Sequence, residues 1–309
     1  MSTTTDAPEL RSLALLVAVA DAGGIGAAAR RLGISQPSAS EGVRALEHRL
    51  RLGLVRRGPG GSVLTEQGLV VVELARQVLS AAADLTDAAR AMAGEQATQL
   101  TVCASLTVAE HLVPQWLVRM AREAPEISIA VRMANSADVV QQVRSGTAAL
   151  GFVEGVSAPN GLRSRTIRTD ELLLLVRPDH PWAARRSPLR PRDIAGVPLA
   201  LREPGSGTRE VLEQWLARDG VRPTPAVEVA STTALVQAAL SGVAPTVISG
   251  LAVQTETAQG RLVRVPLADA DDPERTGAGT LRRRIRAIWR GPGAPGPAAT
   301  RLLEVIVGR

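Results

Sequence analysis

Lysine and tyrosine are absent from the 309 residues, and phenylalanine and cysteine each occur once. A single cysteine, Cys103, rules out an internal disulfide and any cysteine-rich metal site. Set in the alternating segment Leu100, Val102, Ala104, it is expected to pack inside a strand rather than to react. Without lysine, all 36 basic residues are arginine, the residue that suits phosphate best, although the missing tyrosine points equally to a general compositional bias. Long apolar runs are lacking as well. Stretches such as Leu172 to Val176 fall far short of the roughly 20 residues a membrane-spanning helix needs. The N-terminus has no basic-then-apolar signal region, so a cytoplasmic protein with no membrane partner is expected. Catalytic signatures are missing too. His48, His111 and His180 have neither metal-ligand spacing nor a nucleophile at motif distance, and the chain contains neither a Gly-x-Ser-x-Gly elbow nor a P-loop. Neither an enzyme nor a need for metal or cofactor is indicated.

What the chain does contain is AAARRLGISQPSASEGVRALEHRL, from Ala27 to Leu50, which reads as two short helices meeting at a tight turn. Ala39, Val43, Leu46 and Leu50 fall at spacings of four, three and four, on one side of a helix. Ser35 stands as its N-cap and Pro37 lies in the first turn, where a missing N–H costs nothing, so the helix begins at Gln36. Its outward face carries Gln36, Ser38, Ser40, Glu41, Arg44 and His48, donors and acceptors matched to base edges and phosphates. The preceding helix, Ala27 to Leu32, closes at Gly33, and Val55 to Leu64 reads as two short strands around a glycine turn, a basic wing. An ordinary surface helix packed on a neighbour would show the same periodicity; the turn and the wing favour the helix-turn-helix.

With LRSLALLVAVADAGGIGAAARRLGISQPSASEGVRALEHRL, then LVRR and LTEQG, the chain resembles the N-terminal module of LysR-type transcriptional regulators. That family combines a Ser-Gln-Pro opening of the third helix, a Leu-Glu pair near its end and a Leu-Thr-Glu-x-Gly start to a long fourth helix. Here these are Ser35 to Pro37, Leu46-Glu47 and Leu64 to Gly68. The resemblance implies that Gln36, Pro37, Ser38, Ser40, Glu41 and Arg44 approach double-stranded DNA and that Arg56 and Arg57 lie at the wing. Three positions depart from the pattern, one of them Ile25, which stands where an aromatic is usual before the second helix. Glu41 stands where a basic or amidic residue is usual and could accept from cytosine N4. Gly26 replaces the usual hydroxyl cap of the second helix, which predicts a weaker start there.

Charge and length agree with this organisation. Residues 1 to 65 hold eight arginines against five acidic residues, compatible with salt-sensitive phosphate affinity. Three segments are expected: a winged helix-turn-helix DNA-binding domain at 1–65, a linker and dimerisation helix at 66–96, and an effector-binding domain at 97–309. Thr65 caps the long helix and nothing breaks it before Gly94. Leu69, Val72, Leu79, Ala82, Ala89 and Met92, with Leu85 nearby, form a seam that a partner chain would cover; packing on its own C-terminal domain is the alternative. The resemblance implies self-association through this helix into a dimer, with a tetramer a further option.

Beyond Gly94 strands alternate with helices, the pattern of an α/β domain. The expected helices include one unbroken run from Val108 to Glu123, and the expected strands begin at Leu100, Ile127, Ala149, Glu171, Leu199, Ala226, Thr246, Arg261 and Arg284. This resembles the two-lobed type II periplasmic-binding-protein-like fold of LysR effector domains. Lobe I would span about 97–163 and 266–309, and lobe II about 164–265. The stretch Arg202-Glu203-Pro204-Gly205-Ser206-Gly207-Thr208-Arg209 forms a helix-entering turn whose N–H groups and hydroxyls suit an anion, though a plain helix cap reads the same way. Ser105 and Thr107, and Asn135 with Ser136, follow other strands and can converge on it. The candidate effector residues are therefore Ser105, Thr107, Asn135, Ser136, Arg202, Ser206, Gly207 and Thr208, for a small-molecule effector carrying negative charge. The cluster Arg282 to Arg284, Arg286 and Arg290 reads as a solvated strand edge, with a further anionic contact as the alternative. A rival from another class is a nucleoid-type DNA-binding protein whose C-terminal domain only oligomerises.

Overall fold

In the computed structural model, residues 7–58, 61–92, 98–268, 281–291 and 293–308 are described, in two compact units, 1–96 and 97–309. The first unit follows the capping residues closely. Helix α1 (Leu10–Ala22) stops at Gly23, and α2 (Ile25–Leu32) at Gly33; both glycines are left-handed, at φ 74° and 67°. Helix α3 (Gln36–Leu50) starts at Ser35, whose Oγ accepts the Ser38 N–H at 3.2 Å. Strands β1 (Val55–Gly58) and β2 (Gly61–Leu64) pair antiparallel as the wing, and α4 (Glu66–Met92) follows. Ala39, Val43 and Leu46 of α3 are buried against α1 and α2, each apolar group of this size being worth roughly 1–3 kcal/mol.

Helix α2 starts at Ile25, two residues before the expected Ala27, so Gly24 and not Gly26 is its cap; with no side-chain cap of its own, its start is held by the Ile25 N–H, which donates to Ser62 Oγ on the wing at 2.7 Å. Glu47 of the Leu-Glu pair also has a structural task. Its Oε1 accepts the N–H groups of Leu54 (2.8 Å) and Val55 (2.9 Å), fixing the entry to the wing. Thr65 Oγ1 accepts the Gly68 N–H at 2.9 Å while donating to the Gly53 carbonyl, and any side chain at Gly68 would run into the Leu54 carbonyl. The seam on α4 divides in two. Val72 and Ala75 are buried against α1, with Leu79 packed alongside, whereas Leu69, Val70, Leu74, Val78 and Leu85 stand exposed, Val70 at 62% and Leu85 at 72%. The expected seam thus loses Val72 and Leu79 to the helix's own unit and keeps Leu69 and Leu85 open, joined by Val70, Leu74 and Val78; the side chain of Met92 lies outside what is described.

The second unit begins with β3 (Thr98–Ser105), α5 (Leu106–His111), α6 (Val113–Glu123), β4 (Ile127–Ala134), α7 (Ser136–Ser145), β5 (Leu150–Gly155) and the 14-residue β6 (Arg163–Val176). It continues with β7 (Pro198–Arg202), α8 (Gly207–Ala217), β8 (Thr224–Val229), α9 (Thr232–Leu240), β9 (Thr246–Ser249), α10 (Gln254–Ala258), β10 (Val263–Val265), β11 (Leu281–Trp289) and α11 (Pro297–Val307). The nine described strands form one sheet in the order β4-β3-β5-β11-β6-β9-β7-β8, with β10 beside β6. Strands β3, β4 and β5 are parallel; β11 runs antiparallel to both β5 and β6 and joins the two lobes. Helices α6 and α11 cover one face of the first lobe around Phe152 and Trp116, and α7 covers the other around Cys103 and Val143. In the second lobe α8 lies over Leu174 and Leu199, and α9 over Leu175 and Ala200.

Two expectations are corrected here. The single helix from Val108 to Glu123 is broken at Leu112, because Pro114 has no N–H to give the Glu110 carbonyl and its ring crowds that carbonyl. The arginine run on β11 is solvated only at Arg282 and Arg284 and does not lie at a sheet edge. Arg283 has a fully buried side chain and Arg286 is buried, because β11 is an interior strand flanked on both sides.

Candidate functional site

The outward face of α3 keeps its polar side chains free of the protein. Gln36, Pro37, Ser38, Glu41, Arg44 and His48 are exposed and Ser40 is half-buried. Ser38 Oγ lies 2.8 Å from Ser35 Oγ, and neither Glu41 nor Arg44 has an ion-pair partner among the described residues. Helix α2 and the wing flank this face, with Arg56 exposed on β1; the side chain of Arg57 lies outside what is described. The helix thus buries Ala39, Val43 and Leu46 and turns its polar side chains outward.

In the second unit the ends of three parallel strands and the starts of two helices meet around a buried charge. Asn135 caps α7 by accepting the Asp138 N–H at 2.9 Å, and Ser206 caps α8 by accepting the Thr208 N–H at 3.3 Å. The two starts touch, the Ala137 N–H donating to the Gly205 carbonyl at 3.1 Å. Gly207 rests on the Glu154 carbonyl with no room for a side chain. At the centre lies Arg283. Its Nε donates to Asp170 Oδ2 at 2.8 Å, Nη1 to Thr208 Oγ1 at 2.9 Å and Nη2 to Thr107 Oγ1 at 3.2 Å, while Glu154 Oε1 stands 3.4 Å away. Ser136 Oγ donates to Glu154 Oε2 at 3.0 Å, and Ser249 Oγ to Asp170 Oδ1 at 2.8 Å. Burial alone would raise the Glu154 carboxyl. The Arg283 guanidinium, with the hydroxyls of Thr107 and Ser136, outweighs it and holds the group below its ordinary value.

Beside this cluster a cavity of about 400 Å³ opens, its wall including Ser136, Glu154, Gly205, Ser206, Glu210 and Arg209. Arg209 is engaged by Glu213 at 2.7 Å and Glu228 at 2.5 Å. Burial pushes the Glu210 carboxyl up, while nearby Arg286, which donates to the Gly155 and Val156 carbonyls, draws it down. Of the eight candidate effector residues, Ser105, Thr107, Ser136, Ser206, Gly207 and Thr208 come together around Glu154, all buried. Asn135 contributes through its cap, and Arg202 is taken up by Glu203 at 2.8 and 3.0 Å.

Glu154 and Asp170 were not among the expected site residues, and Arg283 was expected at a solvated edge or an anionic contact; Glu154 and Arg283 each left a trace in the sequence. Glu154 is the one charge at the end of the apolar run from Leu150 to Val153, and period-two alternation sets Arg283 on the same face as Leu281 and Ile285.

Comparison with known proteins covers both units of the chain. Residues 10–69 match the bacterial regulatory helix-turn-helix protein, lysR family, and residues 93–309 match the LysR substrate binding domain. The chain belongs to the LysR family of transcriptional regulators. It is 35% identical to Mb2303c, an uncharacterized HTH-type transcriptional regulator of Mycobacterium bovis, over 98% of this chain and 97% of that one. Among solved structures it resembles a full-length OxyR variant from Pseudomonas aeruginosa (24% identity, TM-score 0.68, 98% and 94% of the two chains). CbnR complexed with its target DNA is similar at 24% identity and TM-score 0.59, over 97% and 99%. A LysR-type regulator with an effector domain is a DNA-binding protein and not an enzyme, and the nucleoid-type rival is not favoured.

Thiol chemistry is closed to this LysR protein while it stays folded. Cys103 is fully buried, and burial pushes its thiol up to about 11, with Arg132 opposing and Asp138 adding to the shift. Native protein should therefore leave a thiol reagent unreacted until it is unfolded, and peroxide should leave DNA binding unchanged in the native chain and in Cys103→Ala alike. Rapid labelling of the folded chain contradicts this.

Proposed function

We propose that this LysR-type regulator is a cytoplasmic homo-oligomer that reads operator DNA with α3 and responds to an anionic small molecule bound between the lobes of residues 97–309. The observation that carries the effector reading is the meeting of two helix starts, α7 and α8, with Arg283 and the hydroxyls of Thr107, Ser136 and Thr208 at one buried point. Helix starts and a guanidinium both favour negative charge, and the adjoining 400 Å³ cavity has the volume for a metabolite. Gln36, Pro37, Ser38, Ser40, Glu41 and Arg44 would face base edges and phosphates, with Arg56 and Arg57 at the wing. An effector that prefers one arrangement of the lobes biases how paired DNA modules engage two half-sites about one or two helical turns apart.

A thermal-shift screen of the full chain against organic acids and phosphorylated metabolites tests the cleft. A stabilising compound should lose its shift in Ser206→Ala and Thr208→Ala, each compared with its own ligand-free melting temperature. A shift that survives both substitutions moves the site elsewhere.

Self-association rests on the exposed stripe Val70, Leu74, Val78 and Leu85 along α4. Covering such side chains is worth roughly 1.5–3 kcal/mol each, so Leu74→Glu combined with Val78→Glu should leave a monomer in light scattering. A double variant that stays oligomeric points to another surface.

A further inference from the structure

The position that attracts an anion in this cleft already holds one. Glu154 lies next to the end of β5 with its side chain only 3% exposed; its carboxylate takes Ser136 at the start of α7, and its backbone carbonyl lies against Gly207 at the start of α8. It receives Ser136 from the first lobe. It also shares Arg283 with Asp170 and, through the same guanidinium, is tied to Thr208 of the second lobe. One guanidinium thus faces two carboxylates, leaving an excess negative charge in a place with little exposure to water. A further carboxylate or phosphate cannot join at that point without a repulsion that low-dielectric surroundings leave unscreened. With Glu154 neutralised, the same point would present Arg283 balanced by Asp170 alone, two positive helix ends and the hydroxyls of Thr107, Ser136 and Thr208.

Building on the cleft reading above, we propose that Glu154 is a tethered competitor of the anionic effector. Its carboxylate occupies the anion position when no effector is present, joins the two lobes there, and sets how much free anion is needed to take its place. Being part of the chain, it competes at a high effective concentration that dilution does not lower. The measured dissociation constant of a free anion is the intrinsic one divided by the fraction of molecules in which Glu154 has left. Ser136 and Glu154 also line the adjoining cavity, so an entering anion reaches the Ser136 hydroxyl that Glu154 holds.

The test titrates the full chain with malonate and with inorganic phosphate by calorimetry, comparing the native protein with Glu154→Gln, which removes the charge and keeps an acceptor for Ser136. Affinity should rise on the order of tenfold or more in the variant, and adding Ser136→Ala should cancel the gain. Equal affinity in the two proteins, abolished in both by Thr208→Ala, would overturn the competitor role while the cleft reading stands. Binding in neither protein would overturn both. Should Glu154→Gln fail to fold, Glu154→Ala melted with and without acetate replaces it. A saturable rise in melting temperature seen only in the variant supports the assignment, and no rise refutes it.

Discussion

Arg283→Met should lower the stability of the 97–309 unit by about 3–5 kcal/mol, a fall in its melting transition of roughly 10 °C. The methionine fits the volume, yet Asp170 and Glu154 would be left buried with hydroxyl donors alone. The pH dependence should also reverse. In the native protein Glu154 is held below its ordinary value, so its contribution is complete above the unfolded-state pKa of about 4.3 and is lost as pH falls through the lower folded-state value. In the variant the same carboxyl, desolvated and without its guanidinium, titrates above its unfolded value. Its favourable contribution is then present below about pH 4.3 and disappears as pH rises. Denaturant unfolding of both proteins at several pH values checks this. A loss below about 1 kcal/mol, or parallel pH profiles, would show that Arg283 is not the group neutralising the two acids.

Arg44→Ala and Gln36→Ala should each weaken operator binding by roughly 1–3 kcal/mol, about tenfold to a hundredfold, while binding to unrelated DNA changes little. Both side chains are exposed on the outer face of α3, and the apolar residues behind them are buried, so neither substitution disturbs the core. Arg56→Ala on the wing provides the contrast. Removing a phosphate partner there should weaken all sequences alike and reduce the salt dependence by about one ion. Competition binding against specific and random duplexes at several salt concentrations separates the two patterns. Uniform weakening by Arg44→Ala would make it a phosphate ligand and leave base reading to Gln36 and its neighbours.

Local rules carried much of this molecule. Ser35, Pro37 and Gly33 set the ends of α2 and α3 through caps and turn conformations that depend on a few adjacent residues, so the recognition face was legible before any fold was known. The same holds for the start of α4 at Thr65 and for the alternation of strands and helices beyond residue 97. The break at Leu112 escaped although Pro114 marked it, because the apolar spacing runs on through the break.

Charges whose meaning depends on distant partners were not legible. Arg283 lies in an arginine run that a strand at the rim of a sheet would show to solvent. It is buried because β11 inserts between β5 and β6, bringing Asp170 and Glu154, 113 and 129 positions earlier in the chain, to its guanidinium. Likewise the stripe on α4 had two possible halves, and only the packing of α1 on Val72 and Ala75 determined which stayed open. Caps and periodicity are energies between near neighbours and can be read along the chain. Whether a charged group ends buried depends on which strands lie beside it, and that is a property of the assembled sheet.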